Sequence, residues 1–492
     1  MDLSTLQHTY RAAVQHHQAG RLAEAEALYR RILAEHPDHA DSLQMLGVLA
    51  HQAGHSDPGI RLLQKAIALN PNQATYHANL GVVLGATNRL DEAIVCYRRA
   101  LELSPDYAEA LGNLGTLLQE KDQPLEAVQL LARAAALRPG SAQAHADLGI
   151  VLRELGRLDE ATAEFQGALS IQPQNPTARW SLGFTHLLKG EFKSGWPGLE
   201  ARWAMKGLDP RRGFAQPSWD GSDLGGRRIL LWVEQGLGDT IQFARYVPLI
   251  LARGGRPLIQ CQPELQRLLQ SMDRVQKVIG FSDESEPFDL HAPFMSLPRL
   301  FKTTLSTIPS EVPYLNADPQ PSGTWKARLS AAGPGLKVGL VWAGSGTHKN
   351  DRRRSLALAD LAPLAQVPGV RFVSLQKGPA AQQMRPPPNE LALLDWTESL
   401  GDLADTAALI GSLDLVITVD TAVAHLAGAL AKPVWVLLPF SPDWRWMLER
   451  ADSPWYPTMR LFRQPRPGDW RSVLGEIQAR LRDIGGVGLQ SH

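Results

Sequence analysis

Two short polar motifs in the second half of the chain have residue types and spacing that could do chemistry. The first, EQGLGDT, occupies residues 234–240 and places Gly238 directly before Asp239. Its glycines permit a tight turn or a close backbone approach to a ligand. Asp239 is then either a general base that faces a cleft or a helix N-cap. Ile241 stands where a dinucleotide fingerprint has its third glycine, which argues against a nicotinamide enzyme.

The second motif, DTAVAH at residues 420–425, lies where a strand is predicted to end and a helix to begin. The unpaired N–H groups of a helix N-terminus suit a diphosphate. Thr421 and His425 are four residues apart and share one helix face, so His425 could donate a hydrogen bond to a phosphate oxygen. The alternative is that Asp420 and Thr421 cap the helix and that His425 belongs to the core.

Two further stretches have two interpretations each. Residues 344–355, GSGTHKNDRRRS, form either a basic anion clamp or a solvated run of charges, and their spacing is not that of a P-loop. The aromatic rings of residues 439–464 either stack on sugars or form a core. These aromatic residues include Trp444, Trp446, Trp455 and Tyr456.

Several reaction classes lack their motifs in this sequence. No two aspartates are spaced D-x-D, which argues against a metal-dependent sugar transferase of that type. No cysteine–histidine cluster has metal-ligand spacing, and the G-x-S-x-G motif of serine hydrolases is missing. We therefore expect no metal site.

The elements that must position these motifs alternate between strands and helices. An apolar run at 228–235 predicts a buried strand, and a single helix is predicted over 239–255. Irregular, proline-rich sequence is expected over 308–335, after which the pattern restarts. Alternation of this kind predicts parallel sheets, and hence two Rossmann-like doubly wound domains at 227–332 and 333–492. Ligands of such sheets bind beyond the carboxyl ends of the strands, where both polar motifs lie.

The first part of the chain carries a repeat with a period of 34 residues. Prolines stand at positions 37, 71, 105, 139 and 173, and glycines at 47, 81, 115, 149 and 183. Small residues let two antiparallel helices approach closely, and proline ends the second helix. This unit is the tetratricopeptide (TPR) pattern. We predict a TPR superhelix over 1–205, with five full units and a degenerate sixth, followed by a linker over 206–226.

Stacked TPR units form an α-solenoid with a concave surface. The residue two positions before each repeat glycine is expected to face that surface, which selects Asn79, Asn113 and Asp147 among others. An asparagine amide can pair with an extended peptide backbone without reading its sequence, or it is simply a solvated helix residue. Asn79 and Asn113 resemble part of the asparagine ladder of eukaryotic O-GlcNAc transferases. We predict that these residues bind a protein acceptor.

Composition narrows the partners and the compartment. The 50 lysines and arginines balance the 50 aspartates and glutamates, which argues against broad electrostatic binding of nucleic acid or of anionic membrane. We expect no signal peptide and no membrane span, because no suitable apolar segment occurs. Cys96 and Cys261 lie in different segments, which suits a reducing cytosol, so a cytoplasmic location is expected.

Residues 227–475 resemble the heptosyltransferase-like bacterial glycosyltransferases (family 9-like), which have the GT-B architecture. The resemblance rests on the motifs at 234–240 and 420–425. It implies that Asp239 is the catalytic base. It places four residues at the donor: Gly238, Asp420, Thr421 and His425.

The same resemblance extends to the stretches LVWAG and SLQKG, which puts Gly344 and Gln376 on the donor side. The basic residue at the donor phosphate is implied to be Arg353 or Arg354, and both stay open. Ala422 stands where the family usually has glycine, which alters how closely the backbone can approach a phosphate.

The whole layout is similar to bacterial repeat-plus-transferase proteins, some of which glycosylate flagellins. The resemblance implies metal-independent, inverting transfer from a nucleotide sugar, as co-substrate, to a protein hydroxyl held by the TPR arm. It implies no further cofactor. Two alternatives remain: a non-catalytic scaffold with a degenerate transferase half, and a transferase for lipid or polysaccharide.

Overall fold

The computed structural model describes residues 2–205, 213–234, 236–283, 286–348, 350–385 and 391–487. Contacts between Cα atoms group the chain into two compact units, Met1–Arg179 and Trp180–His492. The predicted domain limits near residues 205, 227 and 333 stay predictions. Within the described ranges, no helix combines the length and the apolar character that a membrane crossing requires.

Helical hairpins form the first unit, and the last two helices of the series extend beyond Arg179 into the second unit. From the second helix onward, the first residues of alternate helices are 34 residues apart. This regularity confirms the predicted TPR solenoid. The helices are Leu3–Gln18 (α1), Leu22–Glu35 (α2), Ala40–Gln52 (α3), Ser56–Leu69 (α4), Ala74–Ala86 (α5), Leu90–Leu103 (α6), Ala108–Glu120 (α7), Pro124–Leu137 (α8), Ala142–Glu154 (α9), Leu158–Ile171 (α10), Pro176–Leu188 (α11) and Phe192–Leu199 (α12).

The repeat glycines lie where the two helices of a hairpin cross. An ideal Cβ atom on Gly115 would stand 2.6 Å from Leu131, and one on Gly149 would stand 2.6 Å from Phe165. Real Cβ contacts are not this short, so any larger residue would push the helices apart. The predicted need for small residues at these crossings is confirmed.

Two parallel sheets organise the second unit. The strands are Arg228–Trp232 (β1), Arg256–Gln260 (β2), Lys277–Ile279 (β3), Leu290–Pro293 (β4), Leu336–Val341 (β5), Val370–Ser374 (β6), Leu393–Leu394 (β7), Leu415–Val419 (β8), Val434–Leu438 (β9) and Met459–Arg463 (β10). The α-helices are Leu237–Ala244 (α13), Val247–Ala252 (α14), Pro263–Gln270 (α15), Leu297–Leu300 (α16), Pro319–Ala331 (α17), Asp351–Arg354 (α18), Leu403–Gly411 (α19), Ala422–Ala429 (α20) and Trp470–Val487 (α21).

Both sheets build outward from a central strand in the same way. The first has the order β3-β2-β1-β4, and the second has the order β10-β9-β8-β5-β6-β7. The first strand of each sheet, β1 or β5, lies inside the sheet. The next two strands in the chain add to one side of it, and the strand after those, β4 or β8, pairs with its other side. The first sheet therefore has a switch point between β1 and β4, and the second has one between β5 and β8. The carboxyl ends of these strands are the expected place for a ligand.

Buried apolar strands explain why the second sheet forms as predicted. Every residue of β8 and of β9 is buried, as expected for central parallel strands covered on both faces. Side chains of β5, β8 and β9 share one core cluster with those of α21. The sequence-based prediction of a parallel α/β second half is confirmed.

Three local predictions are wrong in detail, and proline accounts for each. The stretch predicted to be irregular contains α17, which Pro319 begins and Asp318 caps by accepting a hydrogen bond from the Gln320 N–H. The single helix predicted over 239–255 is split into α13 and α14, with Pro248 at the start of α14. The pattern of LADLAPLAQ (358–366) also predicts a helix, and the structure has a 3-10 helix there with Pro363 inside it.

Candidate functional site

Helices α13 and α20 follow β1 and β8, and their first turns are in contact. An ideal Cβ atom on Gly238 in α13 would stand 2.9 Å from Cδ2 of His425 and 3.6 Å from Cα of Ala422, both in α20. The glycine thus permits a close helix crossing. The two polar motifs, 186 positions apart from start to start (234 to 420), are brought together at the switch points. The space beside these two first turns is called the crevice below.

We expect Gly238→Ala to destabilise the second unit because the added methyl group meets a fixed ring. Overpacking of this kind costs about 1–3 kcal/mol. Differential scanning calorimetry should therefore show a lower melting temperature. Gly346→Ala is the control, since a Cβ atom there would have nothing within 4 Å. Equal melting temperatures for Gly238→Ala and the wild type would contradict the close crossing.

Asp239 is the third residue of α13, and Gly236 is the N-cap. One carboxylate oxygen of Asp239 accepts a hydrogen bond from the Gly236 N–H at 3.1 Å, and the other pairs with Arg445. Burial raises the pKa of Asp239 above its ordinary value; the Arg445 guanidinium opposes this rise, and the Asp443 carboxylate adds to it. The side chain stays 18% exposed. Asp239 is therefore a partly buried carboxylate with a bound cation, and its catalytic role stays a prediction.

Arg445 is the residue of the crevice that sequence reasoning missed. Its guanidinium pairs with Asp239, with Asp443 at 2.8 Å, and with the side-chain oxygen of Gln242. It also lies 4.7 Å from the ring centre of Trp444. In the sequence, the stretch that contains Arg445 is notable for its aromatic residues. The partners Asp239 and Gln242 lie more than 200 positions away from Arg445. Only the pairing of Asp443 and Arg445, two residues apart, was visible in the sequence.

Asp420 and Thr421 stand between β8 and α20, as predicted. Thr421 is the N-cap of α20, and its hydroxyl contacts the Thr418 hydroxyl at 3.1 Å. Burial, followed by the Asp443 carboxylate, raises the pKa of Asp420 to about 6, while Arg354 and Arg445 oppose this rise. The turn thus presents a helix N-terminus beside a carboxylate that holds its proton more tightly than usual.

His425 is buried between aromatic rings. Its imidazole stacks on Trp446 with ring centres 5.4 Å apart, and its Nδ1 contacts the Tyr456 hydroxyl at 2.9 Å. Burial, together with Arg445 and Arg245, lowers the pKa of His425 well below its ordinary value. His425 therefore has the burial expected of a core histidine. The edge of its ring nevertheless faces Gly238, so both interpretations made from the sequence retain support.

The basic loop brings one of its two candidate arginines to the crevice. Arg354 is 18% exposed, pairs with Asp351 at 3.5 Å, and lies so close to Gly344 that a Cβ atom there would stand 2.7 Å from it. The charge of Arg354 also acts on Asp420. These contacts favour Arg354 as a group facing the crevice. Lys349 lies outside the described residues, as does Gln235 in the first motif.

Gln376 uses its side chain to hold the ends of β5 and β6 together. Its oxygen accepts hydrogen bonds from the N–H groups of Trp342 at 3.1 Å and Ala343 at 2.9 Å. Its nitrogen donates to the carbonyls of Ala343 at 3.1 Å and Lys377 at 2.9 Å. These four bonds occupy the amide, so the geometry favours a bracing role, and the predicted direct contact with a donor stays a prediction.

The aromatic stretch forms core rather than an open stacking platform. All four of the rings singled out are at most 2% exposed. Trp444 and Trp455 meet edge to face, and both contact Trp196 of α12. Of the two interpretations made from the sequence, the structure supports the core.

The residues predicted to bind an acceptor lie on successive first helices of the solenoid. Asn79 is on α5, Asn113 on α7 and Asp147 on α9, and each of these helices contacts the next of the three. Asn113 is exposed, whereas Asn79 and Asp147 are half-buried. Burial raises the pKa of Asp147 to about 6, and its carboxylate accepts a hydrogen bond from Gln143 at 2.7 Å. Acceptor binding by these three residues stays a prediction.

Glu234, the first residue of the EQGLGDT motif, belongs to a buried ion pair rather than to the crevice. Its carboxylate lies 2.7 Å from Arg202, and both side chains are 2% exposed. Arg202 also pairs with Glu200 at 2.8 Å and donates to the Ser296 hydroxyl at 2.8 Å. The segment after α12 is thereby tied to the carboxyl edge of the first sheet, where β1 and β4 end.

Arg202→Met should leave the Glu234 carboxylate buried without its cation, a change that costs about 3–5 kcal/mol. All 13 tryptophans lie at position 180 or later, so tryptophan fluorescence during urea unfolding reports on the second unit. We expect the double variant Arg202→Met/Glu234→Gln to recover part of the lost free energy of unfolding. A double variant no more stable than the single one would contradict this assignment.

A separate open cavity of about 540 Å³ lies between residues 190–194, at the start of α12, and residues 304–306. None of the residues predicted from the sequence to be functional lines it. The candidate site is therefore the crevice.

Family models match both parts of the chain. Models of tetratricopeptide repeats match residues 16–80, 86–122 and 113–176. A model of glycosyltransferase family 9 (heptosyltransferase) matches residues 400–443, a stretch that contains the DTAVAH motif. The matched stretch is short and contains β8, one of the two strands at the second switch point.

Protein FlbA of Caulobacter vibrioides is a curated relative, 30% identical over 321 residues. The match covers 61% of this chain and 54% of FlbA, so the chain spans about half the length of that relative.

Solved structures resemble between about a third and two fifths of the chain. The crystal structure of MamA is 23% identical to this chain, with a TM-score of 0.30. The match covers 35% of this chain and 96% of the MamA chain. PilF of Pseudomonas aeruginosa is 17% identical with a TM-score of 0.38 and covers 42% and 93%. Because these TM-scores are low, the repeat assignment depends on the family models and the helix period. The chain is similar to tetratricopeptide-repeat glycosyltransferases of the heptosyltransferase type.

Proposed function

We propose that this protein is a glycosyltransferase of GT-B type that moves a sugar from a nucleotide-sugar donor to a hydroxyl group of a protein acceptor. The reaction is metal-independent and inverts the anomeric carbon. The nucleotide sugar binds in the crevice, and the acceptor protein is held by the TPR solenoid.

One observation carries the proposal: the first turns of α13 and α20 meet at the switch points of two similar sheets. Asp239, which follows β1 of the first sheet, forms an ion pair with Arg445. The negative charge of Asp420, which follows β8 of the second sheet, also raises the pKa of the Arg445 guanidinium. Ligands of open α/β sheets bind at such points. A helix N-terminus with a nearby arginine suits a diphosphate, which supports a nucleotide sugar as the ligand.

The acceptor oxygen attacks the anomeric carbon as the bond from that carbon to the diphosphate oxygen breaks. Asp239 takes the proton of the acceptor hydroxyl. Each of its oxygens already accepts one hydrogen bond but retains a further lone pair for this proton. Attack from the side opposite the leaving group inverts the anomeric carbon.

Negative charge grows on the leaving diphosphate, and three groups stabilise it. These are the free N–H groups at the start of α20, the guanidinium of Arg354 and the imidazole of His425. Fixed donors of this kind take the place that a metal ion has in other sugar transferases. The helix that follows Thr421 is therefore the centre of the donor site.

The full-length protein, titrated by calorimetry with UDP-, ADP- and GDP-sugars, tests the donor. We expect one of these to bind, with turnover that persists in a chelator and a product whose anomeric configuration, read by NMR, is inverted. Absence of binding to every nucleotide sugar would instead favour the non-catalytic scaffold. Mass spectrometry of proteins captured by the wild type, but not by an Asn79→Ala/Asn113→Ala variant, tests the protein acceptor against lipid or polysaccharide.

The pH dependence of kcat/KM should report the environment of Asp239. Activity needs its ionised form, so a raised pKa moves the acid limb of the profile to higher pH. Arg445→Met removes the cation that opposes this rise, and we expect the limb to move up. Asp443→Asn removes a carboxylate that adds to the rise, and we expect the limb to move down. Shifts in the same direction for both variants would contradict this arrangement.

A further inference from the structure

A buried chain of polar groups joins α13 to the imidazole of α20. The Tyr456 hydroxyl lies 2.9 Å from Nδ1 of His425 and 3.3 Å from the Tyr314 hydroxyl. Arg245 donates to the Tyr314 oxygen at 3.1 Å, and Tyr314 donates to the carbonyl of Ile241 at 3.0 Å. Tyr456, Arg245 and His425 are all buried. Each hydrogen in this chain therefore needs a defined partner.

The positions of the hydrogens follow from the donors available. A guanidinium only donates, so the Tyr314 oxygen accepts from Arg245 and sends its own hydrogen to Ile241. Arg245 also donates to the Tyr456 oxygen, so the hydrogen of Tyr456 goes either to the Tyr314 oxygen or to Nδ1 of His425. The imidazole nitrogen is the nearer and the more basic of these two acceptors. Tyr456 consequently donates to Nδ1 of His425.

The imidazole carries a single hydrogen, because burial beside two guanidinium groups, those of Arg445 and Arg245, disfavours a positive charge. With Nδ1 accepting from Tyr456, that hydrogen is on Nε2. The ring edge that contains Nε2 and Cδ2 faces Gly238: an ideal Cβ atom there would stand 3.6 Å and 2.9 Å from these atoms. The Nε2–H group therefore lies where the first turns of α13 and α20 meet, at the edge of the crevice.

We propose that Tyr456 is a positioning residue that holds His425 in its Nε2–H tautomer, so that the imidazole presents a neutral hydrogen-bond donor to a phosphate oxygen of the nucleotide sugar. The last part of this proposal rests on the proposed function; the tautomer itself does not. In the opposite tautomer a lone pair on Nε2 would face the phosphate oxygens and repel them.

Long-range proton–nitrogen NMR of the full-length protein, labelled with nitrogen-15 in histidine, measures the tautomer directly. The chain has 14 histidines, so the His425 signal is assigned by its loss in His425→Gln. For the wild type we expect a protonated Nε2 and a bare Nδ1 between about pH 6 and pH 8, which brackets the ordinary histidine pKa. A hydrogen on Nδ1, or a charged ring in this range, would overturn the proposal.

Tyr456→Phe removes the donor to Nδ1, and we expect the single tautomer to be lost. Tyr314→Phe is the matched control, because it removes a hydroxyl of the same chain but leaves the contact of Tyr456 with His425. A Tyr456→Phe spectrum that keeps the wild-type tautomer would refute the positioning role. If that variant does not fold, the wild-type tautomer still decides the proposal.

Addition of UDP, ADP and GDP separates this proposal from the proposed function. A nucleotide that shifts the Nε2 signal of His425 supports both the orientation of His425 toward a phosphate and the proposed donor site. If all three leave the wild-type signal unmoved while the tautomer is Nε2–H, the phosphate-facing part is overturned together with the donor site, and the role of Tyr456 in fixing the tautomer stands. With a donor in hand, we expect Tyr456→Phe to lower kcat/KM by roughly 10-fold or more, as for other residues that fix a histidine tautomer.

Discussion

Replacing Asp239 with asparagine should lower kcat for sugar transfer by about 10²- to 10⁴-fold, the usual contribution of a general base. The hydrogen bond from the Gly236 N–H is lost. Asparagine has nearly the same shape, and its single side-chain oxygen can still accept a hydrogen bond from Arg445, which also keeps its pairing with Asp443. The variant should therefore fold and bind the nucleotide sugar with little change in affinity. The measurement is single-turnover transfer at saturating donor, with calorimetry of donor binding in parallel.

Asp443→Asn is the matched control for this variant, because Asp443 pairs with the same guanidinium at 2.8 Å. At a pH above the acid limb we expect it to keep most of the wild-type kcat. A similar loss in Asp443→Asn and Asp239→Asn would mean that both carboxylates act only by holding Arg445. Full activity of a folded Asp239→Asn protein would show that another group takes the proton.

Replacing Arg354 with methionine should lower kcat by about 10²- to 10³-fold, the usual effect of removing one donor that stabilises transition-state charge. Arg354 lies beside Gly344 and acts on Asp420 at the start of α20, where the diphosphate is proposed to bind. Methionine keeps most of the volume and removes the charge. Steady-state kinetics over a range of donor concentrations separates the effect on kcat from that on KM.

Arg353→Met is the matched control, since it changes the neighbouring residue in the same way. If Arg354 is the arginine that contacts the phosphate, we expect the kcat of Arg353→Met to stay within a few-fold of the wild type. Should Arg353→Met lose more activity than Arg354→Met, the assignment of the phosphate-facing arginine would be reversed. The result would then favour the other of the two arginines that sequence reasoning left open.

Helix α12 supports the loop that carries Arg445. Its Trp196 meets Trp444 edge to face at 5.3 Å, and the Trp196 indole donates to the Thr303 carbonyl at 2.7 Å. The segment after α12 holds Glu234 through Arg202, two residues before the N-cap of α13. The last repeat-like helix thus packs within the second unit and contacts elements on both sides of the crevice. A transferase fragment that begins at residue 227 would lack these contacts.

Local patterns were enough to determine the classes of structure in this protein. The 34-residue period of glycines and prolines specifies helical hairpins, because close helix crossings need small residues wherever they recur. Continuous apolar runs such as β8 and β9 predict buried parallel strands. The motif at 420–425 was placed correctly after a strand, and the strand predicted to reach residue 235 ends at Trp232, before the first motif. Glycine, aspartate and threonine mark the turn from strand to helix within a few residues.

Only the tertiary structure decided which side chains share the crevice and what each can do there. Arg445 reaches Asp239 across 206 positions, and Tyr456 reaches His425 across 31; neither separation leaves a periodic signal in the sequence. The tertiary structure likewise places the Gln376 amide in hydrogen bonds that join the ends of β5 and β6. It buries the rings of the aromatic stretch in the core. Hydrogen bonding and charge depend on distances between atoms of different elements, and packing alone sets those distances.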